Sequence, residues 1–175
     1  LFFTCGAAPA LMTALTALAC EDSEVIAIAP FFPEYKPFIE SSGNKFVMVP
    51  ADTTSFQIDL AALESLVNEH TQAIIVNSPN NPSGVVFSQE TLEKVGSILG
   101  AAAEKYGHPI YIIADEPYRE LVYDGVEVPF IPNVYKDTIV CYSWSKSLSL
   151  PGERIGYVLV PDDATDSAEL FAAVA

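Results

Sequence analysis

The chain has 175 residues, 50% of them hydrophobic, which is enough for one domain with a sizeable core and a squeeze for two complete ones. Eight Lys and Arg stand against 23 Asp and Glu, a formal net charge of -15. That field repels phosphate backbones and anionic membranes, so nucleic acid is not an expected partner.

The first apolar run, LFFT, leads into CGAAPALM and a helix predicted over 7–19, with Leu11, Leu15 and Leu18 on one face. Gly6 and the small residues after it leave the first N–H groups of that helix open to an anion, although the same pattern also serves a plain strand-to-helix turn. VIAIA (25–29) is the next predicted strand, followed by PFFPEYKPF, which crowds Phe31, Phe32, Tyr35 and Phe38 near its end. An aromatic there can stack on a planar ligand, while its neighbours fill the core. KFVMV (45–49) is a strand, and 59–69 a helix with Asp59 as N-cap, Leu60, Leu63 and Val67 on its buried face and His70 at its end.

AIIVN (73–77) precedes the turn NSPNNPSGV, where Asn81 taken alone is a turn residue, and a helix capped by Ser88 is predicted over 88–105. IYIIA (110–114) ends in DEPYREL, so Asp115 closes a buried strand and needs a partner to stay ionised. That partner is a cation or a protonated ring nitrogen, or else Asp115 caps the next turn; Tyr118 reaches the same place. EVPFIPN (127–133) is expected to be a long loop. TIVCY (138–142) then runs into SWSKSLSLPGERIGYV, which gathers Ser143, Ser145, Lys146 and Arg154 ahead of a last strand, IGYVLV (155–160). Lys146 is either a solvated turn lysine or a reactive amine for Schiff-base chemistry, with Arg154 as a phosphate clamp.

Strands that alternate with helices and are apolar on both faces predict a three-layer α/β/α domain on a mostly parallel sheet. Its ligands belong at the carboxyl ends of the strands. Cys5, Cys20 and Cys141 show no disulfide or metal spacing, so no metal is expected and a reducing cytoplasm is the expected location. The apolar runs are too short to cross a bilayer, and no membrane association is expected. The chain opens inside an apolar segment and stops on FAAVA inside an expected helix, as a piece of a longer protein would.

Taken in order, G-A-A before a helix, P-F-F-P-E-Y, N-N-P-S-G, D-E-P-Y and S-W-S-K with Arg154 in G-E-R-I-G resemble the large domain of the class I/II aminotransferases. These are fold-type I enzymes that use pyridoxal 5′-phosphate (PLP), and the resemblance spans nearly the whole chain. It implies that residues 1–175 are a PLP-binding large domain, truncated, with an N-terminal arm and a C-terminal small domain outside it. It also implies that Lys146 holds PLP as a Schiff base, Asp115 pairs with the pyridinium nitrogen, Asn81 and Tyr118 bond the phenolic oxygen, and Phe32 stacks on the ring. Ser143, Ser145, Arg154 and the backbone of Gly6, Ala7 and Ala8 would hold the phosphate.

The implied reaction moves an amino group from an amino acid to a 2-keto acid, in a homodimer, with Lys146 carrying the substrate Cα proton. Two positions depart from the family pattern: Ala8 stands where many members carry a hydroxyl, and Phe32 where a Trp or Tyr is frequent. A PLP-dependent lyase or decarboxylase of the same fold and the PLP-sensing domain of a transcription regulator remain alternatives. Glu34 and Arg119 are expected at the surface, and His70 and His108 without a role in the site.

Overall fold

Each central strand sends alternate side chains into two apolar layers, and that alternation sets the architecture of the computed structural model, which describes residues 1–175. Seven strands form one sheet: β1 (Phe2–Thr4), β2 (Glu24–Ile28), β3 (Lys45–Val49), β4 (Thr71–Asn77), β5 (Tyr111–Asp115), β6 (Thr138–Ser143) and β7 (Gly156–Leu159), in the spatial order β1-β7-β6-β5-β4-β2-β3. From β6 to β3 every pairing is parallel. β7 runs antiparallel to both β6 and β1.

Val25, Ala27, Ile75, Ile113 and Cys141 pack beneath α1 (Ala7–Ala17), α2 (Tyr35–Ser41) and α6 (Ser167–Val174). Their neighbours Ile26, Ile28, Ile74, Ile112 and Val140 face the opposite layer, α3 (Leu60–Leu66) and α4 (Gln89–Tyr106). The predicted three-layer α/β/α domain is therefore present. No helix is long and apolar enough to cross a membrane.

Caps fix the helix ends. The Ser88 side chain accepts from the Thr91 N–H to start α4, and Gly107, at φ 78, stops it. Asp59 likewise accepts from the Ala62 N–H at the start of α3. That helix ends three residues before its predicted limit, because Asn68 Nδ2 donates to the Leu66 carbonyl and the Asn68 N–H donates to Thr71 Oγ1, which turns the chain into β4. His70 consequently lies in the turn and not at a helix end.

Other differences from expectation are local. α2 is a helix in the aromatic-rich stretch, and EVPFIPN carries a short 3-10 turn, Ile131–Asn133, that buries Ile131. Arg119 is partly buried: its Nη1 lies 3.3 Å from the buried Glu116 carboxylate, it donates to the Val128 and Pro129 carbonyls, and it stacks over Phe130. A short-range ion pair thus ties down the loop behind β5, and Glu34 stays exposed.

At the sheet's antiparallel corner, Gly156 is paired with Thr4 on one side and Ser143 on the other. A Cβ there would lie 2.5 Å from the Tyr142 carbonyl oxygen and 2.8 Å from the Gly6 carbonyl carbon, both backbone atoms. Gly156→Ala in the full-length protein is expected to cost about 1–3 kcal/mol, the range for overpacking a closed site. Urea midpoints check this, and an unchanged midpoint would show that the corner can open.

Candidate active site

Parallel strands deliver the residues that follow them to one edge of a sheet. Asp115 is the last residue of β5, in register with Asn77 at the end of β4. Tyr118 and Asn81 lie in the turns just beyond. Lys146 sits in α5 (Trp144–Ser147), directly after β6, and Phe32 follows β2. Because β7 is antiparallel, Arg154 before it and Gly6 after β1 arrive at the same edge. Every predicted site residue except Gly6 lines one cavity of about 370 Å³. Gly6 stands behind it, against Arg154.

Asp115 dominates the electrostatics. It is 5% exposed, and burial pushes its carboxyl up to about 6, opposed only by a hydrogen bond that the Tyr35 hydroxyl donates to Oδ2. Oδ1 is buried without a hydrogen-bond partner in the protein. Such an acceptor is costly until a donor, best a cationic one, reaches it. Asn77 fixes the surroundings: Nδ2 donates to the Asp115 carbonyl at 2.8 Å, and Oδ1 accepts from the Asn81 N–H at 2.6 Å. Asn81 Nδ2 lies 3.5 Å from the Tyr118 hydroxyl, whose pKa is raised by burial and by the Asp115 charge. Lys146 Nζ lies 5.8 Å from the centre of the Tyr118 ring, and the residue is exposed.

The other end of the cavity has a helix start and an unpaired arginine, features that suit an anion. Gly6 has φ 106 and ψ -179, a conformation essentially reserved for glycine, and it opens α1 where the Ala7 and Ala8 N–H groups precede the first helical bonds. Arg154 takes a left-handed conformation, donates to the Pro151 carbonyl, and makes no ion pair in a chain of strongly acidic composition. One cavity therefore offers an anion seat, a primary amine, two donors side by side and a buried carboxylate with a free oxygen.

The family model for aminotransferase class I and II matches residues 1–174. The chain belongs to that family. Human kynurenine–oxoglutarate transaminase 1 is 35% identical over 173 residues, covering 91% of this chain and 40% of its own length. Aspartate aminotransferase of Bacillus subtilis is 33% identical over 163 residues, with 90% and 40% covered. Among solved structures, an amino transferase from Eubacterium rectale superimposes with a TM-score of 0.97 at 58% identity, over 98% of this chain and 44% of that one. N-succinyldiaminopimelate aminotransferase from Mycobacterium tuberculosis gives 0.85 at 33% identity, over 98% and 43%. The chain thus spans about 40% of the length of the curated relatives it matches.

Class I and II aminotransferases use PLP. Two residues of the candidate site carry little signal in the sequence. Asn77 passes for part of an Asn-rich turn, although its place at the end of a buried strand is the same signal that marks Asp115. Tyr35 passes for core filling; it is the one aromatic of PFFPEYKPF with a hydroxyl, and a buried hydroxyl requires a partner.

Proposed function

We propose that residues 1–175 are the PLP-binding large domain of an enzyme that, at full length, moves an amino group between an amino acid and a 2-keto acid. Asp115 carries this reading: a buried carboxylate with one unpartnered oxygen, on the wall of the cavity that also holds the Lys146 amine. A protonated ring nitrogen is the donor that this oxygen lacks. The rest of the cavity fits the same molecule. The Gly6 cradle beside Arg154 suits a phosphate, and the Asn81 amide and Tyr118 hydroxyl suit a phenolic oxygen.

When bound, PLP supplies an electron sink for negative charge at the substrate Cα. Asp115 would hold a proton on the ring nitrogen, and Phe32 would offer an apolar face to the ring. Ser143, Ser145, the Arg154 guanidinium and the Ala7 and Ala8 N–H groups would hold the phosphate, and the helix terminus would add its partial positive charge. Lys146 Nζ would anchor the cofactor and would also be the base that moves the substrate Cα proton.

Gly6→Ala tests the phosphate seat. The added Cβ would lie 2.7 Å from Arg154 Nη2 in a backbone conformation that only glycine adopts freely, so PLP affinity is expected to fall roughly tenfold or more. Equilibrium PLP titration, with and without inorganic phosphate as competitor, reads the loss. An unchanged constant would remove Gly6 from the seat.

The full-length protein is read as a cytoplasmic homodimer. Support comes from Phe3, 67% exposed, and Leu148, 59% exposed, which with Leu150 and Ile155 line an apolar groove of about 270 Å³ beside α5, and from the exposed, unpaired thiols of Cys5 and Cys20. An active monomer on sizing would count against the dimer. The activity itself is tested by incubating the full-length protein with PLP, an amino acid panel and a 2-keto acid. Paired formation of a new keto acid and a new amino acid is expected; release of ammonia or carbon dioxide in its place would overturn the assignment.

A further inference from the structure

Tyr35 is the only donor that the protein offers to the Asp115 carboxylate, and both side chains are buried, Asp115 at the cavity wall. Tyr35 is 2% exposed, and burial together with the Asp115 charge pushes its phenol well above the ordinary value, so the hydroxyl remains a donor at every working pH. Its ring is clamped by Phe31, stacked at 6.4 Å, and by Phe32, edge-on at 5.8 Å. The other ionisable neighbours do not compete for the carboxylate: Glu116 turns to Arg119, and the Cys141 thiol is pushed well above its ordinary value by burial. One oxygen of Asp115 is therefore committed to a fixed hydroxyl and the other is free.

We propose that Tyr35 is a positioning residue that keeps the shared proton on the cofactor's ring nitrogen, by holding the Asp115 carboxylate ionised with Oδ1 as its one free acceptor. The inference rests on the cofactor reading given above. A buried pair of ring nitrogen and carboxylate has two arrangements of the same proton, one with both groups charged and one with both neutral. Low dielectric favours the neutral arrangement. A hydroxyl bonded to the second carboxylate oxygen lowers that carboxylate's basicity and restores the charged arrangement. The ring withdraws electrons best when its nitrogen carries the proton, so a side chain that never touches the cofactor sets its chemistry.

The test uses the full-length holoprotein loaded with PLP labelled with ¹⁵N at the ring, observed by ¹⁵N NMR at fixed pH. In the native protein the signal is expected at the pyridinium position. In Tyr35→Phe it is expected to move toward neutral pyridine, with a roughly tenfold loss of PLP affinity from the lost hydrogen bond to a charged group. A bound cofactor whose signal stays at the pyridinium position in Tyr35→Phe overturns the proposal. Replacement of Tyr35 by 3-fluorotyrosine preserves both donor and packing and is expected to keep the pyridinium signal; a neutral signal there overturns it too, whether or not the Phe variant folds. Asp115→Asn separates the two levels of inference. If it leaves the signal unmoved, the cofactor reading of Asp115 fails; if it moves the signal and Tyr35→Phe does not, only the role of Tyr35 fails.

Discussion

Lys146→Ala in the full-length protein is expected to lower amino transfer by roughly 10⁴-fold or more, the upper end of what one positioned acid–base group contributes. It is also expected to abolish the cofactor adduct that borohydride fixes to the native chain. On the proposed function, both losses follow from one amine serving as anchor and as proton carrier. Stability should hardly change, because Lys146 is exposed, makes no ion pair and lies in a four-residue helix with no buried side chain. Activity, borohydride trapping and the unfolding midpoint, measured on the same preparation, therefore form a linked test. Trapping that survives the substitution would move the anchor to another lysine.

Asp115→Asn is expected to act in opposite directions on catalysis and on the stability of the cofactor-free protein. The amide keeps the shape and removes the charge, so amino transfer should fall by about 10²–10³-fold, the scale of losing one preorganised electrostatic group. The stability effect has a definite sign. Asp115 is raised from an ordinary 3.8 to about 6 by burial, so the folded chain holds that proton more tightly than the unfolded one. Its contribution to stability is greatest below the unfolded value, declines as pH climbs between the two values, and is level above the higher one. A difference of about two units corresponds to about 3 kcal/mol. The Asn variant of the apo protein should thus match the native protein near pH 4 and exceed it by about that amount above pH 6. Unfolding midpoints at the two pH values check this, and a variant less stable at both would show that the carboxylate is satisfied without cofactor.

What could be read from the sequence, and what could not, divides along the range of the interactions. Strands such as AIIVN and TIVCY are visible because burial on both faces demands unbroken apolar runs, and the more exposed edge strand β3 still appears at its predicted limits. Asp115 and Lys146 are visible because each is a charged residue set where such a run stops. Helix α2 is not, since Pro33 and Pro37 break the local pattern and its seven residues are held by packing of Tyr35 and Ile39. The link from Tyr35 to Asp115 spans 80 positions, and that from Asn77 to Asp115 spans 38. No window of sequence contains both partners. Arg119 is the opposite case: its partner Glu116 is only three residues away, within one turn of the chain.

The corner where β7 turns back has a consequence for the order in which the chain becomes competent. Phe2 pairs with Val158 and Thr4 with Gly156, while Gly6 lies against Arg154 in the proposed phosphate seat. During synthesis the first strand has no sheet partner until the seventh has emerged, and a loop of almost the whole chain must close before Arg154 can meet the α1 terminus. The five parallel strands β2–β6 are complete before that, so the nascent chain can hold a nearly finished sheet with an unpaired edge at β6, an arrangement open to association with other chains. Phosphate capture by residues from both ends of the segment would then act as a latch on the last strand to arrive, making cofactor supply a determinant of yield as well as of catalysis.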